Sequence, residues 1–226
     1  MLVIAAIASM TIAASAQRYN DYGLEILDSD KVESNLRLAF PMYFGVSALI
    51  NNDRADLNTL LPQNFTYAIE MASVRFKAKR SHLEASFGVR WTFMDFSLED
   101  TGNTFRKVFG EYYRYPIIME NLKYDGTKSK LHATYLGVPV RLSYKAGKGR
   151  VYVGASAEYL VNGYTKYRKP AYREGASDMF NRFRATAEAG FSYRLFGVFF
   201  NYGITPLFPK DWSGANTVSF GLTFGI

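Results

Sequence analysis

Along residues 35–50 every even-numbered position is apolar (Leu36, Leu38, Phe40, Met42, Phe44, Val46, Ala48 and Ile50), while the odd positions are mostly small or polar. A period of two is the pattern of an extended strand with one apolar face, because successive side chains of a strand point to opposite sides. A run of this length far exceeds the roughly five or six residues usual in soluble sheets. Such a stripe suits the wall of a membrane barrel. The last ten residues repeat it, with Val218, Phe220, Leu222, Phe224 and Ile226 alternating with Thr217, Ser219, Gly221, Thr223 and Gly225.

Six more runs lie between these two. The second is expected over residues 67–79, with Ala72, Val74, Phe76 and Ala78 on its apolar face. The third sets Leu83, Ala85, Phe87, Val89, Trp91 and Phe93 against His82, Glu84, Ser86, Gly88, Arg90 and Thr92. The fourth is expected from Leu136 to Tyr144, the fifth from Val151 to Val161, the sixth from Arg182 to Arg194 and the seventh from Val198 to Ile204. Their connections alternate between long and short, as in transmembrane barrels with short periplasmic turns and longer outer loops. The fold class is therefore all-β: an eight-stranded antiparallel up-and-down transmembrane β-barrel.

The N-terminal segment implies export. Residues 2–13 are apolar, and Ala14-Ser15-Ala16 fits a small-residue cleavage site before Gln17, although no basic residue precedes the run. The run is shorter than the about 20 residues that a membrane-spanning helix needs. The expected organisation is a signal peptide over 1–16, a polar lead-in over 17–34 and an outer-membrane barrel over 35–226. Cysteine is absent, which excludes disulfides and thiol chemistry, and the net charge is +7. For an exported chain the expected partner of that charge is outer-membrane lipid, lipopolysaccharide phosphate included, and not nucleic acid.

The polar faces are rich in Gly, Ser and Ala, with Arg and Glu of both signs. That suits a crowded lumen better than a solvated surface. By parity Arg37, Glu84, Arg90, Arg141, Glu158, Arg184 and Glu188 share it. An eight-stranded interior is only just filled by side chains, and buried charges must be paired, so these seven are expected to form a structural core and not a pore. Pro41 and Pro139 each remove a ladder donor, and a bulge is expected near both.

Chemistry has few candidates. The two histidines, His82 and His132, are expected at opposite ends of the barrel, so they cannot share a metal, and no cofactor is implied. His132 beside Ser129 or Thr134 has the composition of a base–nucleophile pair, but the sequence shows no third group to orient it. The outer loops interleave aromatics with cations: Phe105, Arg106, Lys107, Tyr112, Tyr113 and Arg114 in one, Tyr167, Arg168 and Lys169 in the next. These nine are the candidate loop contacts to glycolipid or to a protein partner.

The stretch Tyr135-Leu136-Gly137-Val138-Pro139-Val140-Arg141-Leu142-Ser143-Tyr144, with Val151-Tyr152-Val153-Gly154-Ala155 and Asn201-Tyr202-Gly203-Ile204-Thr205, resembles the outer-membrane β-barrel domain family typified by PorT-like proteins (porin-family small barrels). Ile226 departs from the terminal aromatic such barrels usually carry, although Phe224 is close by. The resemblance implies the barrel and, more weakly, a role as an accessory subunit of a secretion or assembly system. The reading from the residues is a non-enzymatic outer-membrane protein whose outer loops bind a partner or envelope glycolipid. A small lipid-modifying enzyme is the third alternative, and oligomeric state is left open.

Overall fold

In the computed structural model the described residues are 39–54, 57–77, 82–100, 103–107, 117–121, 128–168 and 172–226. The expected signal peptide, the lead-in and Arg37 lie outside them. Eleven strands follow in chain order: β1 (Met42–Ile50), β2 (Phe65–Lys77), β3 (Leu83–Ser97), β4 (Asn103–Lys107), β5 (Ile117–Asn121), β6 (Lys128–Ala146), β7 (Gly149–Arg168), β8 (Tyr172–Gly175), β9 (Phe183–Tyr193), β10 (Phe196–Gly203) and β11 (Asn216–Phe224). Eight of them form a closed antiparallel ring in the order β1, β2, β3, β6, β7, β9, β10, β11 and back to β1. The seam runs from Met42↔Phe224 to Ile50↔Asn216. Closure leaves no unpaired edge, which is what a sheet in hydrocarbon requires.

The two faces settle which side is greasy. Phe44, Val140, Leu142, Val153, Phe200 and Leu222 are each about half exposed on the outside, whereas Ser47, Thr186, Ser219 and Thr223 are buried inside. A soluble barrel would have the opposite pattern. An apolar belt on the outer surface of a closed ring is stable against lipid, not water.

Several strand limits differ from the sequence reading. β2 begins at Phe65 and has a register shift between Glu70 and Ala72. β6 begins at Lys128 and β7 runs to Arg168, so the stretch read as a loop after Asn162 is a strand extension paired with β6 up to Lys128↔Arg168. The long connection after β3 is not wholly irregular, because it carries the β4–β5 hairpin. Tertiary pairing decides these cases: polar strands continue above the membrane because their partner strand does.

The prolines behave differently from one another. Pro41 sits just before β1, and the Glu70 N–H on the bulged strand opposite donates to its carbonyl at 2.9 Å. No bulge forms at Pro139. Its pairing to Ser156 is in register, and the β3–β6 ladder skips from Val140 to Gly137 without a shift. The missing donor interrupts the ladder at two successive pairs and leaves its register unchanged. The bulge in this region lies between Thr134 and Tyr135 instead.

Candidate functional site

The barrel interior is layered. At mid-height Glu70, on β2, lies within contact distance of two guanidinium groups. Arg90 reaches it at 2.9 Å and Arg141 at 3.0 Å, and the Tyr43 hydroxyl donates to it at 3.2 Å. Glu188 completes a square, accepting from Arg90 at 2.7 Å and also pairing with Arg141. Arg90 lies over the Tyr43 ring, 4.7 Å from its centroid. Above the square, Arg184 pairs with Glu158 at 3.3 Å and donates to Thr217 at 2.9 Å. Below it, Arg150 meets Glu84 at 2.7 Å. Each of these four guanidinium groups faces a carboxylate, which is the condition for burying charge at all. Two cavities within it measure about 10 Å³ and 20 Å³, room for one water each.

Toward the long-loop end the interior turns apolar. Met94 and Phe96 of β3, Leu131 and Tyr135 of β6, Met179 and Phe180 before β9, and Leu207 and Phe208 between β10 and β11 form one buried cluster with Leu57. Phe180 stacks on Phe208 with centroids 5.6 Å apart. The outer mouth is thus closed by a small hydrophobic core assembled from strand ends and loops.

Outside, at the same end, a third arrangement occupies the wall. Aromatic residues mark the edge of the apolar belt: Tyr67 stacks on Phe93 at 4.6 Å, and Trp91 stacks next to Phe93. Such aromatic girdles lie at membrane–water interfaces. One step toward the loops the register sets Asp95 of β3 beside His132 of β6, and His132 beside Tyr164 of β7. His132 Nδ1 is 2.6 Å from the Asp95 carboxylate and Nε2 is 2.9 Å from the Thr134 hydroxyl. The Tyr164 ring stacks on the imidazole at 4.5 Å, and the Arg173 guanidinium lies 3.7 Å over that ring. One further step outward Lys130, Lys166 and Arg173 pair across three adjacent strands, with Lys128 beyond them. Lys128, Lys166 and Arg173 are exposed.

The structure places Glu84, Arg90, Arg141, Glu158, Arg184 and Glu188 on the interior face. Glu70, Arg150 and Arg75 join them without having been named from the sequence. Arg75 and Arg150 were readable as the faces opposite Val74 and Val151. Glu70 was hidden by the bulge: Thr66, Ala68 and Glu70 face inward with even parity, Ser73 and Arg75 with odd. The phase break between those two polar series is its trace in the sequence.

Among the candidate loop contacts Tyr167 is a correction. It is buried, because beyond the second bulge odd residues of β7 turn inward. Lys166 and Arg173, by contrast, are exposed. Phe105, Arg106 and Lys107 lie in β4 and Arg168 ends β7, while Tyr112, Tyr113, Arg114 and Lys169 are outside the described residues. Ser129 also faces inward, so of the two hydroxyls considered for His132 only Thr134 meets it.

A closed ring with a lipid-facing apolar belt, a charge-packed interior and unequal connections defines an eight-stranded transmembrane barrel of the outer-membrane type. The chain belongs to the outer membrane protein beta-barrel domain family, which matches residues 29–209. Among solved structures it is similar to Ail, the attachment invasion locus protein of Yersinia pestis, at 11% identity and a TM-score of 0.35, covering 84% of this chain and 97% of that one. None of the curated proteins matches it.

Proposed function

We propose that the outer end of this outer-membrane barrel engages an anionic envelope glycolipid, whose phosphates are taken by Lys128, Lys130, Lys166 and Arg173. The observation that carries this reading is the cation row one step beyond the aromatic girdle and His132, the depth at which headgroup phosphates meet a barrel wall. The filled interior supports it from the other side, since it leaves the external surface for function. Binding of bisphosphorylated lipid A to the detergent-solubilised protein, followed by native mass spectrometry, tests it. Retained adducts that are lost in the Lys130→Gln, Lys166→Gln, Arg173→Gln triple variant support the reading; equal adducts in both overturn it. A stoichiometric protein co-purifying from the membrane in place of lipid would favour the accessory-subunit reading. Export by a cleaved signal belongs to the same proposal: protein isolated from outer membranes is expected to begin at Gln17.

A further inference from the structure

Asp95, His132 and Thr134 form a chain of two hydrogen bonds, carboxylate to imidazole at 2.6 Å and imidazole to hydroxyl at 2.9 Å. This is the order of groups that activates a hydroxyl nucleophile: an acid to fix the tautomer and orientation of the base, a base to take the proton, an alcohol to attack. The sequence offered His132 and Thr134 but no third member. Asp95 is 37 residues away and arrives only through the β3–β6 register. The cluster sits on the outer wall, not in the lumen. It also borders the β6–β7 bulge, which sets Asn162 opposite Thr134. Bulges re-aim side chains next to active sites more often than elsewhere.

The rows of the wall run in the order of a glycolipid's groups. The cations Lys130, Lys166 and Arg173 lie outermost, Asp95 and His132 one step in, Thr134 level with Phe93 a further step in, and Trp91 with Leu136 below. A phosphorylated glycolipid presents phosphate, ester carbonyl and acyl chain in the same sequence. Successive positions on one face of a strand are about 6.6 Å apart. Thr134, two positions in from Lys130, therefore lies about 13 Å below the cation row, within reach of an acyl ester of a lipid held by its phosphates.

We propose that Thr134, His132 and Asp95 are the catalytic residues of an acyl-ester hydrolase acting on that glycolipid. The Thr134 Oγ attacks the ester carbonyl carbon while its proton passes to His132 Nε2, with Nδ1–H held by Asp95. The C–O bond to the sugar breaks, and its alkoxide leaves as an alcohol with the proton from His132. Water then cleaves the acyl-threonine, giving its proton through His132 back to Thr134 Oγ and releasing a fatty acid. Thr134 and His132 are buried in this structure, His132 beneath the Tyr164 ring that Arg173 covers. Drawing Arg173 onto a phosphate frees that ring to move, which couples headgroup binding to access.

This inference rests on the glycolipid reading above, and one experiment separates the two. Wild-type protein in detergent micelles is mixed with bisphosphorylated lipid A, bound lipid is read by native mass spectrometry, and released fatty acid is read by mass spectrometry. Acyl release that falls at least about 100-fold in Thr134→Ala and His132→Gln, survives in Thr134→Ser, and drops in Asp95→Asn is the expected result. All four variants must keep the heat-modifiable mobility of the folded barrel. Trapping of the acyl group on Thr134, located by peptide mass spectrometry, is a signature that a structural hydrogen bond would not give. Lipid A bound without acyl release, or full release by folded Thr134→Ala, overturns the hydrolase and leaves the binding reading standing. Absence of lipid A binding overturns both.

Discussion

Two polar clusters lie on opposite faces of the same strands, and their wiring differs. The lumen square of Glu70, Arg90, Arg141 and Glu188 is closed: each acid meets both guanidinium groups, with Tyr43 packed against it. The wall cluster of Asp95, His132 and Thr134 is a line with a base in the middle and a hydroxyl at its end. A closed network satisfies buried charge and holds strands together; a line carries a proton in one direction. That difference in wiring is what sets the structural lumen square apart from the wall cluster proposed above to act on an ester, although both are built from ordinary β-register.

The comparison breaks most sharply at its structural end. Glu70→Ala leaves Arg90 and Arg141 short of a partner in a water-poor interior and is expected to cost about 3–5 kcal/mol. Urea unfolding in micelles measures it, and a loss below about 1 kcal/mol would mean that water replaces the carboxylate. Leu207→Ala opens a hole in the outer plug at a residue with no exposed surface. Its expected cost is roughly 2–5 kcal/mol, toward the lower end where loops can settle inward. Gly45→Ala comes next. Its methyl would meet the Phe220 carbonyl and the Phe199 ring, which packs edge-on against Tyr43 at 5.4 Å, for about 1–3 kcal/mol of overpacking. His132→Gln is the smallest in stability, about 1 kcal/mol, because the glutamine amide can still donate to the Asp95 carboxylate while the bond to Thr134 is lost. The same substitution is expected to remove acyl release entirely. A His132→Gln variant that unfolds as readily as Glu70→Ala would move the wall cluster into the structural class.

Period-two patterning carried most of this molecule. The eight strands, their inward and outward faces, the long and short connections and the sign-balanced lumen all follow from which residues alternate. What escaped it are the places where alternation slips. At Glu70/Ala72 a single extra residue reverses parity and hides the acid on which the lumen square depends. At Thr134/Tyr135 a second one turns Tyr167 inward and leaves Lys166 outside. Asp95 escaped for another reason. Nothing local links it to His132, and the pair exists only once β3 and β6 have chosen a register.

The seam between β1 and β11 has a consequence for how the chain travels. Ser47 and Ser219 lie 2.7 Å apart across it although 172 residues separate them. Contacts of such sequence separation form slowly, because the entropy of a long loop is lost before any pairing repays it. Until the ring closes, the carboxylates and guanidinium groups of the lumen stand in water and hydrate the chain between its greasy stripes. The charges that later cement the interior therefore serve first as the solubilising surface of a polypeptide in transit, and they give up that hydration only when the last strand meets the first.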